Sequence, residues 1–496
     1  MQDLISAIEP YAKRFGPELA SLAYSRGLAV TLPDSSTRAI PIAATPVTVD
    51  VERIRHAASL SRQLSSAAFK MAHFALRSPR RELLLAAMAP KERAIIEKTH
   101  AAVRRLACTR VDFFAEGNPA VGSLRALEIN ATIPAMQGYS DIAARSFIQV
   151  VGKMAGASER QISDWCEQNG SNVDALYRAL TDGFHSERGR MPARIAILCR
   201  RNDSQISELR YIAQRFCELG TPSQVVFPDQ LGGRERIEAV GQVFDLVYRH
   251  FFVRRLHEID APFLEQFFSE WPSPWAVMFN PPAAQFEVKT TFALLSEAMV
   301  DPTLASGAQL DKGELAAIRA VPWTRPFREG PITDPSGRRI EDAVEYVASQ
   351  PARFVLKRAW EYGGKAVFVG KAAGEPSFAE RSRTAYGEPL DWPQLCRRAA
   401  EDRVGGGFVV QEFIPITAHR ILVCSAQGAV PEEWYVDFSA YASIGLDHPP
   451  SWGGVCRGSH SEIVNIVGGG GVLPLILRPV AEQLARALRQ AARSGS

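Results

Sequence analysis

The sequence predicts a mixed α/β fold (α+β), and three observations support this prediction. About the first 105 residues are largely helical in pattern, with apolar residues at helical spacing in segments such as 51–74. A strand, a helix and a strand follow one another between residues 193 and 249, at the spacing of a parallel α/β unit. Two hairpins, near residues 111–132 and 354–370, add antiparallel pairing. Helices and both kinds of sheet are therefore expected in one chain.

Composition places the chain among ordinary globular proteins. Its 496 residues are 46% hydrophobic and 22% charged, which leaves room for two or three domains. The formal net charge of +3 comes without a basic run, so nucleic acid is not indicated as a partner. Seven scattered cysteines without a CxxC pair fit reduced thiols. With no secretory pattern at the start and no apolar run long enough to span a bilayer, we expect a cytoplasmic protein without a membrane partner.

The first hairpin carries polar side chains on one strand face. Residues 111–114 form a predicted strand preceded by Arg110, and residues 124–132 form the returning strand. Alternate residues of a strand share a face, so Glu128 and Asn130 point the same way. A carboxylate and an amide oxygen can both ligate magnesium, which makes this pair a candidate metal site. The alternative is a solvated strand face.

The α/β unit and the helix after it contribute two cationic candidates. The predicted strand, helix, strand and further strand lie at residues 194–199, 204–219, 223–227 and 244–249. Arg249 is at the carboxyl end of the last strand, where open parallel sheets bind ligands, so it is either an anion anchor or a surface arginine. Lys289 is in the first turn of a helix, where the helix dipole does not favour a cation. That position favours a functional role for Lys289.

The second hairpin has a charged, glycine-bearing tip. Between the apolar segments 354–356 and 366–369 lie Lys357, Glu361, the pair Gly363 and Gly364, and Lys365. Glycines let backbone N–H groups approach anionic oxygens, lysines add positive charge, and a carboxylate can hold a metal that bridges phosphates. The hairpin is therefore either a triphosphate-binding element or an ordinary hairpin with a charged tip. Neither a Walker loop nor a dinucleotide fingerprint is present in it.

The last third of the chain contains one further candidate loop. A strand over residues 407–414 carries Gln411 and Glu412. Two glycine clusters, at 453–454 and 468–471, flank Arg457, Ser459 and Asn465. Glycine clusters pack poorly but serve ligand loops well, so this stretch is either a ligand-binding loop or a flexible surface loop.

Taken in chain order, these motifs resemble the eukaryotic-type glutathione synthetase group, a circularly permuted form of the ATP-grasp superfamily. The resemblance covers most of the chain from about Arg110 onward, and its specific part is the order and spacing of the motifs. It implies an ATP-grasp fold with an inserted parallel α/β substrate domain and an N-terminal helical region. The expected domains are a helical region with the Glu-x-Asn hairpin, an α/β substrate-binding domain, and an ATP-grasp nucleotide-binding region with closing loops, at residues 1–190, 191–285 and 286–496.

The resemblance also implies ATP and Mg²⁺ as cofactors and a role for each matching residue. The implied metal ligands are Glu128, Asn130 and Glu361. The implied ATP-binding residues are Lys289, Lys357, Gly363, Gly364, Lys365, Gln411, Glu412 and Phe413. The implied substrate-binding residues are Arg110, Arg249, Gly454, Val455, Arg457 and Ser459. The charges implied in catalysis are those of Arg249, Arg457 and Lys357.

Several positions depart from that family pattern. The family has substrate-contacting serines after Glu-x-Asn, whereas this chain has Ala131 and Ala135 around Ile133 and Pro134. Leu209 stands near the place of a substrate glutamine, and the stretch 441–446 lacks the basic residues expected there. The ATP half of the pattern thus matches and the substrate half is altered.

The function implied is that of an ATP-dependent carboxylate–amine ligase, which forms an amide or peptide bond through an acyl phosphate. Its partners would be a small-molecule carboxylate and an amine, on an amino-acid or peptide-like substrate. The parent group is commonly dimeric, so a homodimer is one expected assembly. Two alternatives on the same fold stay open, an ATP-binding regulatory protein and a small-molecule kinase.

Overall fold

A computed structural model describes residues 2–233 and 236–494 and has the predicted mixed α/β character. The α-helices of the described residues, numbered along the chain, are α1 (Gln2–Ile8), α2 (Ala12–Ser25), α3 (Val51–Leu76), α4 (Glu82–Leu85), α5 (Pro90–Thr99), α6 (Gln137–Met154), α7 (Glu159–Asn169), α8 (Asn172–Arg188), α9 (Ile206–Glu218), α10 (Pro262–Ser269), α11 (Ala284–Glu287), α12 (Lys289–Ala298), α13 (Pro302–Gly307), α14 (Lys312–Ala317), α15 (Ala343–Ala348), α16 (Pro376–Tyr386), α17 (Trp392–Glu401) and α18 (Arg478–Ser494).

The β-strands of the same residues are β1 (Ala29–Thr31), β2 (Thr37–Ala39), β3 (Val47–Val49), β4 (Leu106–Ala115), β5 (Leu124–Asn130), β6 (Ile195–Cys199), β7 (Ser223–Val226), β8 (Ile237–Ala239), β9 (Gln242–Phe244), β10 (Leu246–His250), β11 (Val277–Phe279), β12 (Thr324–Phe327), β13 (Ile332–Thr333), β14 (Arg339–Ile340), β15 (Phe354–Arg358), β16 (Val367–Val369), β17 (Phe408–Glu412), β18 (His419–Ser425), β19 (Gly428–Ile444), β20 (Gly454–Ser459), β21 (Gly471–Leu473) and β22 (Leu475–Leu477).

The N-terminal region is helical, as predicted, except for the short strands β1, β2 and β3. Its long helix α3 buries one side that includes Ala57, Ser61, Leu64 and Ala68. Small residues on this side let the helix lie close to β19, and the hydroxyl of Ser61 donates to the Ala440 carbonyl at 2.9 Å. The region therefore forms a structural layer on one face of the large sheet. Among the described residues, no helix is both long enough and apolar enough to cross a membrane.

The predicted α/β unit is confirmed as a parallel four-stranded sheet in the order β11-β10-β6-β7. Strands β6, β10 and β11 are wholly buried and mostly apolar, as strands covered on both faces must be, whereas the edge strand β7 is partly exposed. Helix α9 follows β6 and packs against β7, which completes the strand–helix–strand crossover. The fourth strand, β11, was not predicted from the sequence, because three residues before a proline pair carry no strand signal.

The second hairpin is also confirmed, inside an antiparallel sheet of order β12-β17-β15-β16. Val355 pairs with Val369 across the hairpin and with Gln411 on the other side. Phe354, Leu356 and Phe368 face a core that α17 closes. The alternate face of β15 and β17 is left to carry Lys357 and Gln411, since strand side chains alternate between faces.

The largest sheet has the order β21-β20-β19-β4-β5, with β18 also paired to β19. It contradicts the predicted closing loop at Gly454 and Val455, because both residues pair with β19 inside the sheet. The cause is packing, since a Cβ on Gly454 would lie 2.9 Å from the Ser439 carbonyl oxygen. The glycine marks a close approach of two strands, a feature that the sequence cannot distinguish from a mobile loop.

Candidate functional site

A cleft lies between the sheet of β15 and β17 and the large sheet, with about 800 Å³ of space when its open mouth is counted. It brings together most of the residues that the resemblance assigned to ATP and metal. Those lining it are Glu128, Lys289, Lys357, Glu361, Gly364, Lys365, Gln411, Glu412 and Phe413, and Arg457, assigned to substrate and catalysis, lines it too. Residues from five separate segments therefore meet at one place.

Lys357 lies on the floor of the cleft with only 9% of its surface exposed. Its Nζ donates to Gln411 Oε1 at 2.6 Å and contacts the Leu127 carbonyl at 3.5 Å. Burial lowers the pKa of the ammonium group to about 8, because a charge removed from water is disfavoured. A nearly buried lysine without a full carboxylate partner is suited to bind an anion that enters the cleft.

Lys289 joins the two halves of the cleft. It is the first residue of α12, as predicted, and its backbone N–H donates to the Ala359 carbonyl at 2.9 Å. Its Nζ donates to the Glu361 carbonyl at 2.7 Å and lies 3.4 Å from Glu128 Oε2. One ammonium group thus connects the Glu-x-Asn strand to the glycine hairpin.

Glu361 is held by an arginine that the sequence did not single out. Arg254 Nη2 donates to Glu361 Oε1 at 3.0 Å. The guanidinium of Arg254 lies over the rings of Tyr362 and Trp360, at 4.5 and 5.1 Å from their centroids. These cation–π contacts fix the arginine, and the arginine in turn orients the carboxylate. Arg254 and Glu361 are 107 residues apart in the sequence, so no local pattern indicates this contact.

Arg457 is part of a buried charge network next to the cleft. Its Nη2 donates to Asp112 Oδ2 at 2.8 Å, and its Nε donates to Asp437 Oδ2 at 3.0 Å. Arg110 donates to both oxygens of Asp112, at 2.7 and 3.0 Å. Burial opposes the charge on Arg457, but the attraction of the two aspartates outweighs it and raises the pKa of Arg457. For Asp112, the two arginines likewise outweigh burial and lower the pKa.

The two arginines expected to anchor substrate lie outside the cleft. Arg110 also donates to the Ala135 carbonyl at 2.8 Å and is 5% exposed. Arg249 has no exposed surface, and its guanidinium donates to the carbonyls of Asn280 and Pro281 at 2.7 and 2.9 Å. Burial lowers the pKa of Arg249 to about 10. Both guanidinium groups are therefore occupied by the protein itself.

The third expected metal ligand, Asn130, is also not among the residues lining the cleft. Its Nδ2 donates to Asp112 Oδ2 at 3.3 Å, on the side of the charge network. Asn130 pairs with Arg110 and Glu128 pairs with Asp112, with no register shift between the two pairs. The two side chains therefore share a strand face, but Asn130 lies about 7 Å further along the strand. The described residues contain no group of three or more His, Cys, Asp or Glu arranged to hold a metal.

Magnesium nevertheless fits the donors that the cleft offers. Glu128 and Glu361 both line it, and each is near one cationic side chain, Lys289 at 3.4 Å and Arg254 at 3.0 Å respectively. In phosphate sites, Mg²⁺ is commonly bound by one or two carboxylates and the phosphates, with water in its other positions. These two carboxylates would hold the ion, and its charge would neutralise phosphate oxygens.

A loop from 460 to 470, between β20 and β21, covers part of the cleft. Glu462, Ile463 and Val464 line the cleft, and Asn465 Nδ2 donates to the Gly363 carbonyl at 2.5 Å. A Cβ on Gly364 would lie 2.7 Å from Ile463 Cγ2, so the glycine permits this contact. Gly468, Gly469 and Gly470 of the glycine cluster belong to this loop, and Gly471 begins β21. Ser459 ends β20, and its hydroxyl donates to the Ser461 carbonyl.

The strand end at 411–414 is only partly available to a ligand. The N–H groups of Glu412 and Phe413 already donate to the carbonyls of Trp323 and Arg353, each at 2.8 Å. Ile414 also lines the cleft, and its N–H has no hydrogen-bond partner among the described residues. Ile414 was missed from the sequence, and it is the backbone group best placed to donate to a base.

Glu208 is a buried carboxylate next to Leu209, where the substrate half of the family pattern changes. It accepts from the Gly138 N–H at 3.0 Å and has no exposed surface. Burial raises its pKa from 4.5 to about 7. The folded chain thus keeps a proton that the unfolded chain releases. The free energy of unfolding should therefore fall as pH rises from about 4.5 to about 7, by up to about 3 kcal/mol for this group.

Urea denaturation of the wild type and of Glu208→Gln across that pH range would measure the effect. Glutamine keeps an oxygen acceptor for Gly138 but cannot ionise, so the variant should lose this part of the pH dependence. Equal pH dependence in both proteins would show that Glu208 does not titrate in this window.

Comparisons with known proteins agree with a synthetase-like fold. No protein-family model matches the chain, and no curated protein matches it. Among solved structures, it is similar to a glutathione synthetase-like effector from Globodera pallida in its apo form, at 12% identity and a TM-score of 0.56, over 94% of this chain and 97% of that one. A protein assigned as a γ-glutamylcysteine synthetase from Methylobacillus flagellatus KT gives 10% identity and a TM-score of 0.38, over 88% and 98%.

The chain therefore has a glutathione synthetase-like fold, a conclusion that rests on the first of these two structures. At 12% identity the likeness concerns the fold alone. It agrees with the family that the motif order resembles, and the roles of individual residues depend on the geometry of the cleft.

Proposed function

We propose that the chain is an ATP-dependent carboxylate–amine ligase that uses Mg²⁺ and joins a small acid to an amine. One observation carries the proposal: Glu128, Lys289, Lys357 and Glu361 come from three separate segments and line one cleft. The two carboxylates can bind Mg²⁺, and the two lysines can neutralise the oxygens of the triphosphate. The glutathione synthetase-like fold supports the same class of activity.

In this proposal the base of ATP lies at the strand end of β17 and the triphosphate lies under the glycine hairpin. The Ile414 N–H would donate to the base, and Lys371, whose Nζ is 4.6 Å from the Phe413 ring centroid, closes that side. Lys289 and Lys357 would neutralise phosphate oxygens. Gly363 and Gly364 both have positive φ, which a tight phosphate loop requires.

The reaction proposed is acyl transfer through phosphate. A carboxylate oxygen of the acid attacks the γ-phosphorus, ADP leaves, and the acyl phosphate forms. The amine nitrogen then attacks the acyl carbon, inorganic phosphate leaves with the bonding pair, and the amine loses a proton. Positioning and charge neutralisation supply most of the catalysis, as in phosphoryl transfer generally. The loop 460–470 would exclude water from the acyl phosphate.

The acid would have to be bound differently from a glutathione synthetase substrate. Arg110 and Arg249 already donate to protein oxygens, so neither is free to take a substrate carboxylate without a rearrangement. Arg457 is the arginine that lines the cleft. We therefore expect the acid to approach from the side of β20 and the loop 460–470.

The lowered pKa of Lys357 predicts how nucleotide affinity depends on pH. Its pKa is about 8 in the absence of ligand, and a phosphate favours its charged form. ATP affinity is therefore expected to fall by about tenfold as pH rises from about 7 to about 9. A fluorescent ATP analogue would measure it, with Lys357→Arg as the matched control. Arginine keeps its charge, so a variant with the same pH dependence would exclude Lys357 as the cause.

The decisive experiment combines purified protein and Mg-ATP with a panel of amino acids, small acids and amines. Phosphate release that requires both an acid and an amine, with a product mass equal to their sum minus water, is the expected result. Release with one substrate and a phosphorylated product would instead indicate the small-molecule kinase. ATP binding with no turnover across the panel would leave the ligase without support.

The occupied arginines favour one second candidate, an ATP-binding regulatory protein. If Arg110 and Arg249 never release their carbonyl partners, the usual acid site of the family is closed. The same assay separates the two candidates, because a regulatory protein would bind ATP but release no phosphate with any pair of acid and amine.

A further inference from the structure

A second pocket lies at the other end of β19 and β20, away from the nucleotide cleft. It is bounded by the start of α3, by α8, and by the 445–453 connection, and it holds about 1560 Å³ when its open mouth is counted. We propose that this α3–α8 pocket binds a small organic anion with an apolar or aromatic body, independently of ATP.

The charges around the α3–α8 pocket are mostly positive. Arg55, Arg62 and Arg178 line it from two different helices. Arg55 pairs with Glu52 at 2.9 Å, whereas no described carboxylate lies within ion-pair distance of Arg62 or Arg178. The carboxylate that lines it, Asp141, accepts hydrogen bonds from Ser171 and from backbone N–H groups at the start of α8. Two guanidinium groups thus remain for a ligand.

The floor of the pocket is held together by the hydrogen bonds of Asn172. Asn172 donates to Ser140 at 2.9 Å and to the Gly454 carbonyl at 3.0 Å, and it accepts from the Gly453 N–H at 2.9 Å. A Cβ on Gly453 would lie 2.9 Å from the Asn172 amide oxygen. Gly453 and Gly454, which looked like a mobile loop in the sequence, therefore form part of a preorganised wall. A rigid wall lowers the entropic cost of binding.

An apolar surface completes the pocket. Trp452 is 5% exposed, and its indole N–H donates to Ser443 at 3.1 Å. Its ring lies 5.4 Å from the ring of Tyr441. Ile54, Leu475 and Leu477 add aliphatic surface. The apolar body of a ligand could pack here while the charged group of the same ligand reaches the arginines. Small-molecule sites commonly combine an apolar lining with a few polar groups in this way.

The α3–α8 pocket is distinct from the nucleotide cleft. Asp437 of β19 lines the cleft and Tyr441 lines the pocket, and four residues of strand span about 13 Å. On the neighbouring strand, Asp112 of the cleft pairs with Ser439 and Arg110 pairs with Tyr441, so the Arg110–Asp112 ion pair separates the two sites. Occupancy of the pocket can therefore be tested without nucleotide, and its failure would not affect the ligase proposal.

Isothermal titration of the full chain with phenylacetate and with phenyl phosphate, in the absence of ATP, tests the proposal. Both anions are expected to bind. The anion with the lower dissociation constant shows whether the pocket prefers a carboxylate or a phosphate group. Phenethylamine, which has a similar body and the opposite charge, is expected not to bind. No binding of either anion at millimolar concentration, or equal binding of the amine, would overturn the proposal.

Variants locate the binding in the pocket. The double variant Arg62→Gln/Arg178→Gln should weaken binding about tenfold or more, since each residue offers a charge-assisted hydrogen bond. Both side chains are exposed, so the fold should be retained, and thermal melting would check this. Arg338→Gln, at an exposed arginine of another sheet, and Glu361→Gln, in the cleft, should leave affinity unchanged. Unchanged affinity in the double variant would place the anion elsewhere.

Discussion

Replacing Glu361 with glutamine is expected to lower ATP-dependent product formation at least about a hundredfold while the fold is retained. The side-chain carbonyl of glutamine can still accept from Arg254, which now donates to Glu361 Oε1 at 3.0 Å. What is lost is the negative charge that would hold Mg²⁺ against the triphosphate. ADP release with the active substrate pair measures the effect, and a magnesium titration shows whether excess metal restores activity.

Two further variants make the Glu361 result specific. Glu128→Gln should show a similar loss, because Glu128 is the other carboxylate proposed for the metal. Glu388→Gln changes an exposed carboxylate on the same part of the chain and should have no effect. Near-normal turnover in both Glu128→Gln and Glu361→Gln would exclude the metal assignment, whatever the identity of the substrates.

The elements that local pattern determines were predictable from the sequence. The hairpin of β15 and β16 has two apolar segments around a glycine-bearing tip, and the pairing of Val355 with Val369 follows from that pattern. The parallel unit has the same basis. Lys289 was correctly placed at the start of a helix, although the short helix α11 between the proline pair and α12 was not predicted. These predictions use contacts that are near in sequence.

Contacts that depend on strand register were not predictable. Asp112 and Asp437 are more than three hundred residues apart, and only the pairing of β4 with β19 brings them to one guanidinium. Arg249 lies at a strand end, and the sequence therefore suggested an anion anchor. Its guanidinium instead donates to the carbonyls of Asn280 and Pro281, which belong to a later segment of the chain. Burial of an arginine by backbone oxygens leaves no local signal in the sequence.

The two glycine clusters show a related limit. Gly453–Gly454 and Gly468–Gly471 look alike in the sequence, yet Gly454 lies at a tight strand contact, whereas Gly468 to Gly470 lie in the loop 460–470 and Gly471 begins β21. Glycine serves both purposes, by allowing close approach or by allowing unusual backbone angles. Only the packing of Asn172 against Gly453 and of Asn465 against Gly363 distinguishes them.

Replacing Arg457 with methionine is expected to lower the free energy of unfolding by about 3–5 kcal/mol at neutral pH. Asp112 and Asp437 are 2% and 1% exposed, and Arg457 bonds to both. Methionine preserves much of the apolar stem of arginine but carries no charge. Asp112 would keep Arg110 as a partner, whereas Asp437 would lose its arginine. Urea denaturation followed by circular dichroism measures the loss.

A matched substitution and a change of pH separate the charge effect from simple packing. Burial raises the pKa of Asp437, so its charged form is already disfavoured, and Asp437→Asn should cost much less than Arg457→Met. In Arg457→Met, protonation can neutralise the buried carboxylates of Asp112 and Asp437. The destabilisation should therefore shrink as pH falls from about 7 towards about 4. A loss that is the same at both pH values would mean that Arg457 stabilises the sheet through packing of its stem, and that the buried charges are balanced without it.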